Sequence, residues 1–130
     1  MSETKKHSIL IVDDESSNIM ALTHILSPEY TVRAVKNGKD ALMAAEKFLP
    51  DVILLDIIMP DMDGYEVIAA LKSSEKTRGI PVIFLTAKID PEDEAKGLNL
   101  GAVDYVIKPF SRGNLLKRVE MHLFLGAVDK

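Results

Sequence analysis

Residues 8–14 read SILIVDD, an almost continuous apolar run that ends in two aspartates. Similar runs end in a polar residue at three later places: DVILLD at residues 51–56, PVIFLT at residues 81–86 and VDYVIKP at residues 103–109. Short runs rich in Val and Ile are typical of strands that are covered on both faces in a parallel sheet. Each run therefore predicts a buried strand with a polar side chain at its end.

Amphipathic segments lie between these runs. The predicted strands are Ser8–Val12, Tyr30–Val35, Val52–Leu55, Ile80–Leu85 and Val103–Ile107. Helical stripes fill the intervals, and Asn37 and Asp90 are expected to cap the second and fourth helices. We expect the fourth helix, around Glu92–Leu100, to be the weakest because it is short and contains Gly97. The strict alternation of strand and helix predicts an α/β fold, a doubly wound five-stranded parallel sheet with helices on both faces.

Composition bounds the class of protein. The 130 residues predict a single domain over residues 1–130, large enough to bury roughly two-thirds of its unfolded surface. The absence of Cys excludes disulfides, thiolate metal sites and a Cys nucleophile. A formal net charge of −4 argues against direct binding of nucleic acid. No apolar run approaches the ~20 residues of a membrane helix, so we expect a cytoplasmic protein with no membrane partner.

The polar residues at the strand ends form the candidate site. The carboxyl ends of parallel strands share one edge of a sheet, so side chains that are remote in sequence should meet there. The residues expected to meet are Asp13, Asp14, Asp56, Thr86 and Lys108. Carboxylates without His or Cys suit Mg²⁺, and Mn²⁺ could substitute. Aspartate can also accept a phosphoryl group covalently, while a lysine and a hydroxyl neutralise and position the phosphoryl oxygens.

Each of these residues also has an ordinary structural explanation. The acidic pair Asp13-Asp14 could form a turn that caps the following helix. Lys108 could be a surface lysine, and the hydroxyl of Thr86 could satisfy a backbone group. Eliminating other motifs favours the phosphoryl-transfer interpretation over these separate roles.

Other sites are matched less well. The segment DMDG, residues 61–64, resembles part of a calcium loop, but Met59 and Ala70 would then stand where oxygen ligands are obligatory. A phosphatase that uses an aspartate nucleophile would need a second carboxylate two residues after Asp56 as its acid or base. Ile58 stands there instead. Neither a Walker A sequence nor GxGxxG is present. The histidines share no spacing, and we interpret them as surface or edge residues: His7, His24 and His122.

Four strings, ILIVDDE, LLDIIMPDMDG, PVIFLTAK and DYVIKPF, follow one another over essentially the full chain. Together they resemble the receiver domain of two-component response regulators. The resemblance implies a flavodoxin-like (βα)5 fold with strand order 2-1-3-4-5. It implies that Asp56 is the phosphoacceptor, contacted through its phosphoryl group by Thr86 and Lys108, in a domain that catalyses only its own phosphorylation and dephosphorylation. The implied Mg²⁺ ligands are Asp14 directly, Asp13 through water, Asp56, and the backbone carbonyl of Ile58.

The same resemblance implies a switch. Phosphorylation would draw Thr86 inward and let Tyr105 rotate inward, changing the surface of the fourth helix, fifth strand and fifth helix. The peptide bond Lys108–Pro109 would be cis. The implied partners are a sensor histidine kinase or histidine phosphotransfer protein, an output domain or target protein, and a second copy bound through that surface. Ile58 and Lys88 would occupy positions that influence the lifetime of the phosphoryl group.

Two other functions stay open at this point. A receiver-like module could work through protein contacts without phosphorylation, although degenerate receivers tend to lose one of the site residues. A flavodoxin-like redox domain is disfavoured, because the charges of Asp13 and Asp14 would repel a phosphate.

Near the end of the chain, the apolar Phe124 and Leu125 favour a receiver cut from a longer regulator that continues after residue 130.

Overall fold

The computed structural model describes residues 6–87 and 90–128, apart from the side chains of residues 125–128. The strands are β1 (Ser8–Val12), β2 (Thr31–Val35), β3 (Val52–Asp56), β4 (Val82–Thr86) and β5 (Asp104–Ile107). The helices are α1 (Ser16–Leu26), α2 (Gly38–Phe48), α3 (Gly64–Ser73), α4 (Pro91–Asn99) and α5 (Arg112–Val128). The alternating order confirms the prediction. Lys88 and the side chain of Leu125, to which the sequence assigned roles, lie outside the described residues.

The strands pair in the order β2-β1-β3-β4-β5, and each described pair is parallel. This confirms the doubly wound sheet. The register pairs Val12 with Leu55, Asp56 with Leu85, and Thr86 with Ile107. The carboxyl ends of four neighbouring strands in this sheet therefore lie level with one another.

The apolar side chains of the strands alternate between the two faces of the sheet. On β1, Leu10 and Val12 join the core cluster that contains residues of α2 and α3. Ile9 and Ile11 join the cluster that contains residues of α1 and α5. Alternation follows from the pleat, because successive side chains of a strand point to opposite faces. Both faces being covered explains why the strand sequences are almost continuously apolar.

Side-chain caps fix the helix starts that orient the loops. Asn37 Oδ1 accepts from the Asp40 amide at 2.8 Å, and Asp90 Oδ1 accepts from the Asp93 amide at 2.9 Å, which confirms both predicted caps. In α4, which lies entirely within the described part of the chain, every residue except Gly97 is exposed. Among the described residues, no helix combines the length and apolar character that crossing a membrane requires.

The start of β5 is tied to α5 by an ionic cluster. Arg118 Nη1 donates to both carboxylate oxygens of Asp104 at 2.8 and 2.9 Å, and His122 Nε2 lies 2.9 Å from Asp104 Oδ2. The side chain of His122 is only 11% exposed, so of the two predicted places, surface or edge, the structure excludes the open surface. The reason is that Arg118 and His122 lie four residues apart on one face of α5, and that face packs beside Asp104.

We expect Asp104→Asn to lower the free energy of unfolding by about 1 kcal/mol at pH 7, a small value because Arg118 is partly exposed to solvent. Burial alone would raise the pKa of Asp104, but His122, Arg118 and the Tyr105 amide hold this pKa below its usual value of 3.8. The stabilisation is therefore present above pH 3.8 and is lost as the pH falls through the lower folded-state pKa.

Urea unfolding of wild type and Asp104→Asn between pH 7 and pH 3 measures this difference. Glu120→Gln, at an exposed position of α5, is the matched control and should change little. Equal stability of wild type and Asp104→Asn at pH 7 would show that the cluster adds nothing to folding.

Candidate phosphoacceptor and metal site

Three of the predicted strand-end side chains lie together. Asp13 directly follows β1, Asp56 is the last residue of β3, and Lys108 directly follows β5. The Lys108 Nζ is 3.1 Å from Asp56 Oδ1 and 3.4 Å from Asp13 Oδ2. One ammonium group thus bridges two carboxylates that are far apart in sequence, as the strand-end argument predicts.

Asp13 is fully buried. Its Oδ1 accepts from the Glu15 amide at 2.9 Å, whereas its Oδ2, among the described residues, has no hydrogen-bond donor. The Lys108 Nζ near Oδ2 makes an ionic contact without hydrogen-bond geometry. Asp13 does not cap α1, whose capping position is Glu15, so the structural explanation of the acidic pair as a helix cap is wrong for this residue. Because buried carboxylate oxygens normally have partners, Oδ2 marks a place for a cation or a bound water.

Asp13 also belongs to a group of carboxylates that could hold a metal ion. Asp13, Asp14 and Glu15 each offer one ligand oxygen, and these oxygens lie within 4.8 Å of one another. Asp14 is half-buried and Glu15 is exposed. Glu15 was not among the predicted site residues, although its position directly after the aspartate pair could have suggested a role.

Asp56 carries a perturbed carboxyl group. Burial, the largest cause, and the negative charge of Asp13 raise the pKa of Asp56 to about 6, although Lys108 acts in the opposite direction. Burial alone would lower the pKa of Lys108, but Asp56 and Asp13 raise it overall. Keeping Asp56 ionised in the folded state therefore costs free energy, and a further positive charge nearby would reduce that cost.

These features fit a divalent cation. In the group formed by Asp13, Asp14, Asp56 and Lys108, the carboxylates outnumber the ammonium, and one buried carboxylate oxygen lacks a donor. Hard oxygen donors without thiolate or imidazole suit Mg²⁺. The residues that are present thus match the metal that the sequence analysis expected.

The loop after β3 carries Ile58. The Gly64 amide donates to the Ile57 carbonyl at 2.7 Å and closes the loop. A Cβ at Gly64 would lie 2.6 Å from the Asp56 backbone oxygen, so glycine allows the start of α3 to approach the end of β3 closely. The side chain of Ile58 is 81% exposed. The role expected for the Ile58 carbonyl as a metal ligand stays a prediction.

Thr86 and Tyr105 lie at the end of β4 and within β5. The Lys108 amide donates to the Thr86 carbonyl at 2.7 Å, which holds the backbone of Lys108 beside β4. The Tyr105 hydroxyl is 2.9 Å from the Asp93 carbonyl and 3.0 Å from the Glu94 carbonyl. Tyr105 is buried, and its hydroxyl contacts the backbone of α4; the rotation expected on phosphorylation stays a prediction. The Lys108–Pro109 peptide bond is cis, as expected.

Comparisons with known proteins agree with this geometry. A sequence model of the response regulator receiver domain matches residues 9–120. A probable cyclic di-GMP phosphodiesterase of Vibrio cholerae is 48% identical over 123 residues, which are 95% of this chain and 28% of that protein. The DNA-binding response regulator MtrA of Mycolicibacterium smegmatis is 38% identical over 122 residues, 93% of this chain and 52% of that protein. The chain thus spans 28% and 52% of the length of these two relatives.

A solved structure matches over nearly its whole length. The receiver domain of the sensor histidine kinase PA1611 from Pseudomonas aeruginosa PAO1 has a TM-score of 0.83 and 33% identity. The match covers 91% of this chain and 98% of that one, whose active-site cleft coordinates a magnesium ion. Strand order, sequence and structural likeness lead to the same conclusion: this chain belongs to the response regulator receiver domain family.

Proposed function

We propose that this receiver domain is a phosphorylation-dependent signalling switch in which Asp56 accepts a phosphoryl group. The donor would be the phosphohistidine of a sensor histidine kinase or of a histidine phosphotransfer protein. The observation that carries the proposal is the position of the Lys108 ammonium between the buried carboxylates of Asp13 and Asp56. A buried aspartate with a raised pKa and a cation in reach has the properties of a phosphoacceptor site.

The transfer forms one bond and breaks one. A carboxylate oxygen of Asp56 attacks phosphorus, the bond between phosphorus and the donor histidine nitrogen breaks, and the electron pair stays on that nitrogen. The product is an acyl phosphate on Asp56. Lys108, already 3.1 Å from Asp56 Oδ1, would neutralise a phosphoryl oxygen, and the Thr86 hydroxyl would donate to another. The domain would thereby catalyse only its own phosphorylation and its own dephosphorylation, in which water would attack the phosphorus, the bond from phosphorus to the Asp56 oxygen would break, and inorganic phosphate would leave.

The metal would be Mg²⁺, and Mn²⁺ would suit the same donors. The proposed ligands are Asp13, Asp14, Asp56 and the backbone carbonyl of Ile58. When bound, the ion would neutralise charge on the phosphoryl oxygens. Support comes from the buried Oδ2 of Asp13, which has an ionic contact but no hydrogen-bond partner among the described residues, and from the grouping of one oxygen each of Asp13, Asp14 and Glu15.

The readout would involve Thr86 and Tyr105. A shift of Thr86 toward the phosphoryl group would change the packing of Tyr105 and, with it, the surface of α4, β5 and α5. Moving a two-state equilibrium from 1:99 to 99:1 needs ~5.5 kcal/mol of differential stabilisation. Charge-assisted hydrogen bonds of roughly 1.5–3 kcal/mol each could supply it. That surface would contact an output domain, a target protein or a second copy of the chain. We also propose that residues 1–130 form one receiver domain.

Acetyl phosphate with Mg²⁺ tests the proposal, read by intact mass. We expect wild type to gain the mass of one phosphoryl group and Asp56→Asn to gain none. Asp51→Asn is the matched control, because Asp51 precedes the opposite end of the same strand and should leave the gain intact. A chelator should abolish the gain. An unmodified wild type, or a modified Asp56→Asn variant, would refute the assignment and favour a module that works through protein contacts alone.

A further inference from the structure

The side chain of Met62, in the loop between β3 and α3, fills a notch at the start of α2. A Cβ at Gly38 would lie 2.5 Å from Met62 Sδ and 2.9 Å from both Met62 Cβ and Cγ. Gly38 is the first residue of α2 and is buried. Met62 therefore occupies space that exists because Gly38 has no side chain.

The backbone of Gly38 gives no other reason for glycine. Gly38 stands in a helical turn, a conformation that every L residue adopts, and its φ is not in the left-handed region. Its neighbour Asn37 already caps the helix. Glycine at this position is thus explained by the close approach of Met62.

The loop has other anchors as well: the Ile57 amide lies 3.4 Å from the Leu85 carbonyl of β4, and the buried Met59 belongs to the core cluster. The Met62 amide donates to the Pro60 carbonyl at 2.8 Å, and the Gly64 amide donates to the Ile57 carbonyl at 2.7 Å. Asp61 has a left-handed φ of 70°. Ile57 and Met59 therefore hold the part of the loop near β3, and Met62 holds its later part against the first turn of α2.

We infer that the contact between Met62 and Gly38 positions the loop that carries the Ile58 carbonyl, and thereby sets the affinity of the site for a divalent cation. The inference rests on the proposed function, in which that carbonyl is a ligand. A backbone carbonyl has no rotamer of its own, so its position depends on how the loop is held. The side chain of Ile58 is exposed, whereas its neighbours Ile57 and Met59 are buried in the core, so Met62 shares the positioning of this carbonyl with them. Met62 and Gly38 are thus positioning residues, which act on the ion through the loop.

Gly38→Ala tests the inference by driving the new Cβ into Met62. In the metal-free protein we expect faster hydrogen exchange of the Gly64 amide, because the loop that this amide closes is displaced. We also expect the Kd for Mg²⁺, measured by calorimetry, to rise by roughly tenfold, the usual scale for a partner that orients a ligand. Gly113→Ala is the matched control, because a Cβ there meets no described atom within 4 Å. It should change neither quantity.

Met62→Ala removes the same contact from the other side without adding a clash. It should raise both the exchange rate of the Gly64 amide and the Kd for Mg²⁺. The double variant should lose no more affinity than the more affected single variant, because both changes act on one contact. Unchanged Mg²⁺ affinity and Gly64 exchange in Met62→Ala or in a folded Gly38→Ala would overturn the inference. A wild type that binds no Mg²⁺ would instead contradict the proposed metal site, and Gly64 exchange would still decide whether the contact holds the loop.

Discussion

Lys108→Ala is expected to lower the free energy of unfolding of the metal-free protein by about 2–4 kcal/mol at pH 7. The Lys108 ammonium contacts Asp13, which is fully buried, and Asp56, which is nearly so. Removing the ammonium leaves both buried carboxylates without that cation. An uncompensated buried charge costs more than the ion pair itself contributes, which makes the expected loss large.

The loss should depend on pH in a defined direction. Burial first, and then Asp13, raise the pKa of Asp56 from 3.8 to about 6, so the folded state takes up a proton more readily than the unfolded state. The stability linked to this group is complete below pH 3.8 and is lost as the pH rises through about 6. Without Lys108 the pKa of Asp56 rises further, so the deficit of the variant should be smaller at pH 5 than at pH 7.

Urea unfolding at pH 5 and pH 7, with and without Mg²⁺, measures both effects. Mg²⁺ should recover part of the deficit, because it supplies positive charge to the same carboxylates. Lys117→Ala removes an exposed lysine of α5 and serves as the control. A loss in Lys108→Ala that equals the control, or that is the same at both pH values, would contradict this account of the site.

Gly97→Ala should lower the free energy of unfolding by about 1–3 kcal/mol, although alanine favours a helix over glycine by about 1 kcal/mol. A Cβ at position 97 would overlap the Tyr105 hydroxyl oxygen and lie 3.0 Å from Phe84 Cε2. Phe84 is fully buried and cannot move aside without disturbing the core. The variant must therefore shift α4 or expel the ring of Tyr105.

Tyr105→Phe provides the second arm of this test. It deletes the hydroxyl that the new Cβ would meet, so the double variant should be more stable than Gly97→Ala alone. Burial is the main reason that the pKa of Tyr105 is raised to about 12, and expulsion of the ring should lower this pKa toward 10.0, as NMR titration can show. Gly79→Ala, where a Cβ meets no described atom within 4 Å, is the control. A double variant no more stable than Gly97→Ala would mean that the tyrosine hydroxyl is not the obstacle.

The apolar pattern predicted the sheet because covering both faces forces nearly continuous Val, Ile and Leu. It placed strand ends less well. The pattern ended the third strand at Leu55, but the ladder continues through Asp56, which pairs with Leu85. Hydrogen bonding of the backbone does not stop where side chains become polar, so a hydropathy pattern shortens strands that run into a site.

Contacts between remote elements could not be predicted in the same way. The burial of His122 depends on the rotation of α5 about its axis and on where Asp104 begins β5. The fit of Met62 against Gly38 depends on the path of a loop. In contrast, Asp13, Asp56 and Lys108 were predictable together, because parallel strands bring their carboxyl ends to one edge whatever the helices do. The individual roles of these three residues, and those of Asp14, Thr86 and Ile58, stay predictions.

Successive side chains of β5 point to opposite faces of the sheet and pack in different core clusters. Tyr105 belongs to the cluster shared with α2 and α3 and contacts α4 through its hydroxyl, whereas Val106 belongs to the cluster shared with α1 and α5. Asp104, one residue before Tyr105, forms an ion pair with Arg118 of α5. Movement of the tyrosine ring would therefore act directly on α4, whereas its effect on α5 would have to pass along the β5 backbone. Under the proposed function, phosphorylation of Asp56 would thus affect a partner bound at α4 and a partner bound at α5 to different extents.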